Sequence, residues 1–181
     1  MNIDLVFRNQ SKAPEAEAYS EAFFRPLLER ILTVVAAPQE EVEVSVTLLD
    51  PVAIRELNHR YRGKDMPTDV LSFPLSPAPS LKSALQKKKR KSEEDSGLGA
   101  PNIPGYTVST LGDIFICPLY ATEKAREEGV SMEAKMSWLA VHGMLHLLGY
   151  DHPDNSVGTP TLQRQGEKMT ALEKKILKEI S

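Results

Sequence analysis

An eleven-residue stretch from His142 to His152, HGMLHLLGYDH, constrains this 181-residue chain more than any other feature. His142 and His146 are four residues apart, a spacing that places two side chains on one face of an α-helix. Gly149 suits the left-handed turn that ends such a helix, so the chain can double back and bring His152 towards the same point. The pattern predicts a helix and an exit turn on which three imidazoles converge.

Three converging imidazoles suit one zinc ion with one coordination position left open. A single pair of histidines at this spacing is often incidental, but three of the four histidines of the chain lie in this one segment. We therefore interpret His142, His146 and His152 as the ligands of one Zn²⁺ per chain. An open zinc polarises a phosphoryl oxygen and lowers the pKa of bound water towards about 7, and both effects suit phosphodiester hydrolysis.

The composition limits the class of protein. The chain is long enough for one core, 41% of its residues are hydrophobic, and no run of 18 uncharged apolar residues predicts a membrane span. The first residues do not resemble a secretory signal, and the single cysteine, Cys117, excludes an internal disulfide. We expect a cytoplasmic location. The net charge of −3 argues against RNA binding through overall charge, so an RNA-cleaving function would need a local basic surface.

Hydrophobic periodicity predicts a small sheet packed with helices. Strict alternation of valine with polar residues marks the clearest strand at residues 42–48, and shorter apolar runs predict strands at 3–7, 70–73 and 112–117. Because strands and helices alternate in mixed order, we expect an α/β (α+β) fold with a mixed sheet of about four strands. The helix that carries H-x3-H is apolar on nearly all sides and should be central and buried.

Helix boundaries follow from capping and proline signals. Asp50 followed by Pro51 predicts a helix start, and Ser131 predicts the start of the histidine-bearing helix. Pro26 lies inside an apolar helical pattern, so we expect the regular part of the first helix to begin near Arg25. Two further helices are expected at residues 118–128 and 162–180.

Residues 76–109 lose this periodicity. Prolines punctuate the segment, and the basic run KKKRK is followed by three acidic residues, so we predict a flexible insert in an otherwise single domain spanning residues 1–181. The basic run is open to interpretation as a nuclear address or an RNA-binding patch. A solvated surface loop is the preferred interpretation, because no aromatic residue is interleaved with the charges for bases to stack on.

Three motifs together resemble one family. HGMLHLLGYDH matches the signature H-G-x-L-H-L-x-G-Y-D-H of the YbeY family at every fixed position. NHRYRGKDMPTDVLSFP, at residues 58–74, is similar to a second family motif, and LGDIFIC, at residues 111–117, is similar to a third. The order and spacing agree over most of the chain, and the insert at 76–109 is the one departure.

The resemblance implies a single-domain metallohydrolase, in three layers, that acts as a single-strand-specific, metal-dependent endoribonuclease in ribosomal RNA maturation and ribosome quality control. RNA would be its substrate, and ribosome-associated factors are possible partners. Arg62 is the candidate for binding a phosphate of the nucleic acid and, with His142, for catalysis. Asp69 and Ser72 are candidates for lining the cleft. Asp151 either orients an imidazole or accepts backbone hydrogen bonds in the turn.

Two other functions remain open at this point. A zinc-dependent peptidase-like hydrolase is one, because H-x-x-x-H is the core of H-E-x-x-H, but the position of the general base is occupied by Gly143. A non-enzymatic ribosome-assembly factor with a structural zinc is the other, with Cys117 or Asp151 as a fourth ligand. The sequence does not decide whether water or a 2′-hydroxyl group attacks the phosphate.

Overall fold

The computed structural model describes residues 3–35, 41–75, 108–152 and 160–180. The predicted α/β class is confirmed, and most of the predicted insert lies outside the described residues. The elements, in chain order, are β1 Ile3–Asn9, a 3₁₀ turn Pro14–Ala16, α1 Glu21–Val34, β2 Glu41–Leu48, α2 Pro51–Arg62, β3 Val70–Pro74, β4 Val108–Ile116, α3 Pro118–Glu128, α4 Met132–Leu147 and α5 Pro160–Ile180.

The four strands of the described part form one mixed sheet in the order β1-β2-β4-β3. β2 is parallel to both β1 and β4, and β3 is antiparallel to β4 at the edge of the sheet. β4 begins earlier than the predicted residue 112. The register explains the difference: Thr110 pairs with Glu43 and Gly112 with Val44, so Leu111 is an extra residue. Such a bulge interrupts the alternation from which the strand was predicted.

Hydrophobic clusters cover both faces of the sheet. On β4, Ile114 and Ile116 belong to the main core formed with α1, α4 and α5. Phe115, between them, points to a smaller cluster that includes Ile54 of α2. Side chains alternate in direction along a strand, so the two clusters lie on opposite faces. The result is three layers, with the histidine-bearing helix packed on the main face.

The first helix begins at Glu21, so the predicted start near Arg25 was wrong. Pro26 lies inside the helix and cannot donate a hydrogen bond to the preceding turn. Packing offsets that loss. Phe24 is fully buried, and its ring lies 5.6 Å from that of Phe7 and 5.0 Å from that of Phe23. Burial of a side chain of this size contributes about 1.5–3 kcal/mol, which is comparable with the cost of an interior proline.

The ends of α4 are defined by local hydrogen bonds, as the sequence predicts. The Ser131 hydroxyl accepts from the backbone N–H of Ala134 at 3.1 Å. At the other end Gly149 has φ +84°, its N–H donates to the carbonyl of His146, and the N–H of Tyr150 donates to the carbonyl of Leu145. This pair of bonds is the Schellman motif, and it reverses the chain immediately before His152.

Gly143 lets α4 lie close to the sheet. A Cβ atom at this position would stand 2.9 Å from Cγ2 of Ile114 and 3.0 Å from Oγ of Ser72. Both distances are shorter than a carbon contact tolerates. The absence of a side chain at Gly143 therefore sets the spacing between the histidine-bearing helix and the strands beside it.

The variant Gly143→Ala tests this spacing. Alanine favours a helix over glycine by about 1 kcal/mol, but overpacking a buried contact typically costs about 1–3 kcal/mol. We expect the clash with Ile114 to dominate and the free energy of unfolding of the metal-free protein to fall by about 1 kcal/mol, measured by urea denaturation. Stability equal to or above that of the parent would mean that the Ile114 side chain moves aside without cost.

Candidate metal centre

The three predicted ligands meet at one point. His142 and His146 lie one turn apart on α4, and His152 follows the turn that ends this helix. Nε2 of His142 lies 3.1 Å from Nε2 of His146 and 3.5 Å from Nε2 of His152. The ligand atoms of all three lie within 4.8 Å of one another. The convergence predicted from the spacing is present in the fold.

These separations fit a metal ion of the size and geometry of zinc. Two nitrogen ligands at about 2.0–2.1 Å from a tetrahedral Zn²⁺ lie about 3.3 Å from each other. The two Nε2–Nε2 distances from His142, 3.1 and 3.5 Å, lie on either side of that value. Within the described residues the cluster of metal-ligating side chains consists of these three histidines. A tetrahedral ion held by these histidines would have one position that the described residues do not fill.

The site favours the uncharged form of His146. Burial, together with repulsion from the neighbouring His142 and His152, lowers the pKa of His146 from its ordinary 6.5 to about 4. A metal ion binds only the neutral form of histidine. At neutral pH His146 is consequently ready to bind without first losing a proton.

Glu173 of α5 is a site residue that the sequence reasoning missed. Nδ1 of His142 donates to Oε1 of Glu173 at 2.7 Å, and the glutamate side chain is only 11% exposed. A carboxylate at this place fixes the proton of His142 on Nδ1, so the lone pair of Nε2 is directed at the other imidazoles. Glu173 lies between Met169 and Ile176 on the buried stripe of its helix. A charged residue on an apolar stripe was the available signal.

Weakening this hydrogen bond should weaken metal binding. We expect Glu173→Gln to bind zinc about tenfold less tightly and Glu173→Ala about 100-fold less tightly, the range typical for partners of a ligating histidine. Competition with a chromophoric chelator measures both. Glu167→Gln, an exposed position of the same helix, is the matched control and should bind like the parent. Equal zinc affinity in Glu173→Ala would show that packing alone orients His142.

The histidines open onto a cleft of about 740 Å³. Arg62, the last residue of α2, lies on the wall of this cleft, and so does the edge strand β3. The lining residues are Arg62, Val70, Leu71, Ser72, Phe73, Pro74, His142, His146, Gly149, Tyr150, Asp151 and His152. The fold thus brings Arg62 and Ser72, two candidates 70 or more residues before the first ligand in sequence, to the cleft that holds the metal-binding side chains.

Asp69 has a different environment. Its Oδ2 lies 3.4 Å from Nζ of Lys135, a lysine that is itself buried in α4 and bonded to Glu128 at 2.8 Å. Lys135 also lies 4.8 Å from the ring of Trp138, which stacks on His142. A chain of contacts through Lys135 and Trp138 therefore connects Asp69 to His142. The role of Asp69 as a cleft residue stays a prediction.

Asp151 has the contacts of a turn residue rather than those of a residue that orients an imidazole. Its Oδ1 accepts from the backbone N–H of His152 at 2.9 Å, as a turn residue does. The same oxygen lies 3.7 Å from Nδ1 of His146, too far for a hydrogen bond. With 62% of its side chain exposed, Asp151 contributes little orientation to His146 in this conformation.

The candidate fourth ligands do not join the histidines. Cys117 belongs to the smaller hydrophobic cluster on the far face of the sheet, where burial raises the pKa of its thiol. Neither Cys117 nor Asp151 is part of the metal-ligating group within the described residues. A closed structural zinc site has four protein ligands, and the described residues supply three.

The mixed sheet packed with helices defines an α/β protein. Its candidate metal centre resembles that of a metallohydrolase: two histidines on a buried helix and a third beyond the exit turn open to one cleft. Comparison with known proteins then gives the family. A family model described as endoribonuclease YbeY matches residues 6–181, and the chain belongs to that family.

Similar proteins agree with this assignment. The chain is 38% identical over 168 residues to endoribonuclease YbeY of Heliobacterium modesticaldum, covering 93% of this chain and 87% of the relative. It is 40% identical to the protein of the same name from Moorella thermoacetica, covering 80% and 83% of the two chains. A solution structure of a Thermotoga maritima protein has 26% identity and a TM-score of 0.53, over 97% of this chain and 90% of the other.

Proposed function

We propose that this protein is a metal-dependent endoribonuclease that cleaves single-stranded RNA in ribosomal RNA maturation and ribosome quality control. The observation that supports it most strongly is the convergence of three imidazoles in a cleft whose wall also carries an arginine. The curated relatives, named endoribonucleases, support RNA as the substrate.

Zinc is the proposed metal. His142, His146 and His152 would hold it, and their all-nitrogen donor set and spacing fit zinc. When bound, the ion supplies a Lewis acid that polarises a phosphoryl oxygen and acidifies water. Because all three ligands are neutral, the positive charge of the site remains available to an anionic substrate.

The residues of the chain itself supply binding and orientation. Glu173 accepts the Nδ1 proton of His142 and so holds that ring in place. Among the described residues that line the cleft, Arg62 is the one arginine. Its guanidinium can hold a phosphate through two parallel hydrogen bonds. In this proposal Arg62 also stabilises the charge that develops on the phosphate as the bond breaks.

A cytoplasmic location and ribosome-associated partners are part of the same proposal. In the part of the chain that the structure describes, no helix is long and apolar enough to cross a membrane. The single cysteine is buried and free, which agrees with a reducing compartment.

Cleavage of defined RNA tests the function. The purified chain would be given one RNA sequence as a single strand and as a duplex, with zinc, with chelator, and with zinc restored after chelation. We expect cleavage of the single strand only, lost with chelator and regained with zinc. Cleavage that persists in chelator or in His146→Ala would come from a contaminating nuclease, and no cleavage by the zinc-loaded parent would overturn the proposal.

A further inference from the structure

Tyr61 presents a large aromatic ring to solvent beside the cleft. It lies on α2 directly before Arg62, and 59% of its surface is exposed. Its ring is supported from below: the centroid lies 4.8 Å from that of Phe73, which in turn lies 5.8 Å from Phe115. Phe73 is part of the cleft wall. The rings of Tyr61 and Phe73 therefore lead from the cleft to the surface.

Basic residues are close to this ring in the chain, and one of them lies over it. Arg60 lies with its guanidinium 5.7 Å from the centre of the Tyr61 ring, and Arg62 and Lys64 follow along the chain. The acidic residue that follows in the chain, Asp65, lies 2.7 Å from Arg55. In a protein of net charge −3, an aromatic ring flanked by basic residues is a local feature that matches the needs of a nucleic acid: a flat apolar surface for a base and cations for its phosphates.

We propose that Tyr61, backed by Phe73, is a stacking platform for one unpaired nucleobase of the RNA, next to the nucleotide whose phosphate Arg62 holds. This inference rests on the proposed function and deepens it. An aromatic ring stacks with any base, so the platform would recognise an unpaired base without selecting its sequence. Bases inside a duplex are stacked on one another and cannot offer a free face. The platform would therefore favour single-stranded over double-stranded RNA.

A binding experiment isolates the platform from the metal chemistry. The probes are fluorescent, 2′-O-methyl single-stranded oligonucleotides: one complete strand and a set of strands that each lack the base at one position. They are titrated with zinc-loaded protein and checked for integrity afterwards. Stacking of one base on an aromatic residue corresponds to about a 5- to 150-fold change in Kd. We expect Tyr61→Ala to weaken binding of the complete strand within that range and Tyr61→Phe to bind like the parent.

The base-free strands distinguish stacking from a structural effect. At one position, removal of the base should weaken binding to the parent but cause no further loss in Tyr61→Ala, because the base and the ring contribute the same contact. Val52→Ala, at an exposed apolar position near the start of the same helix, should bind like the parent. Zinc content and circular dichroism should be unchanged in all variants.

Two results would overturn the platform: parent-like binding by Tyr61→Ala, or an equal loss from base removal in the parent and in Tyr61→Ala. If either of these occurs while the parent still cleaves RNA, the proposed function stands. A parent that binds strands through Tyr61 and cleaves no RNA would refute the proposed function and leave the platform in place.

Discussion

His146→Ala is expected to lose both bound zinc and RNA cleavage while keeping its fold. His146 contributes one of three ligands, and its Nε2 lies only 3.1 Å from that of His142. Removing a ligand should therefore cost more zinc affinity than the roughly 10- to 100-fold typical for the partners of ligands. The fold should persist because the core-facing side of α4 is apolar, with Met136, Leu139 and Met144 fully buried. Elemental analysis, circular dichroism and RNA cleavage measure the three properties.

The matched control is His59→Ala. His59 is the remaining histidine of the chain, outside the candidate metal centre, and is exposed on α2. It should retain zinc and activity, which shows that loss of a histidine as such has no effect. A full equivalent of zinc in His146→Ala would exclude the three-histidine site, whatever happened to activity.

Arg62→Glu is expected to abolish RNA cleavage and keep zinc. Three neutral imidazoles and one divalent ion place positive charge at a single point, whereas an RNA backbone carries successive phosphates. Arg62 lies on the wall of the same cleft as the imidazoles, where its guanidinium can bind one of those phosphates. Loss of one preorganised donor of this kind costs on the order of 10²–10³ in rate. Single-turnover cleavage with zinc-loaded protein measures the effect.

Lysine at the same position separates charge from geometry. Arg62→Lys keeps the positive charge but lacks the planar fork, so we expect a small fraction of the parent rate. Arg126→Glu, a charge reversal at an exposed position of α3, is the matched control and should lose little activity. Full activity in Arg62→Glu would refute the phosphate role, and loss of zinc with activity would make Arg62 a structural support of the site.

Local signals made the convergence of the three histidines predictable from the sequence. The spacing of His142 and His146 fixes their relative position on any helix, and Gly149 adopts the left-handed conformation that turns His152 back. These features depend on residues close in the chain, so no knowledge of the tertiary fold was needed.

Other features depend on tertiary packing and escaped the sequence reasoning. Glu173 reaches His142 across 31 residues because α5 packs on α4, and the one local signal, a charged residue on an apolar stripe, does not identify its partner. Buried Phe24 outweighed the proline signal that placed the start of α1 too late. Leu111 shifted the register of β4 and hid four residues of strand. In each case a long-range contact outweighed a local preference.

The antiparallel pairing of β3 with β4 has a consequence for how chain length can vary. The pairing holds Pro74 opposite Gly112, and the N–H of Leu75 still bonds to the carbonyl of Leu111, so the ends of the intervening segment are fixed by the sheet itself. The entropy of closing a connection grows only with the logarithm of its length, about 0.6 kcal/mol for each doubling. Evolution can thus lengthen or shorten the chain between these two strands at little thermodynamic cost, without moving the edge strand that forms one wall of the cleft.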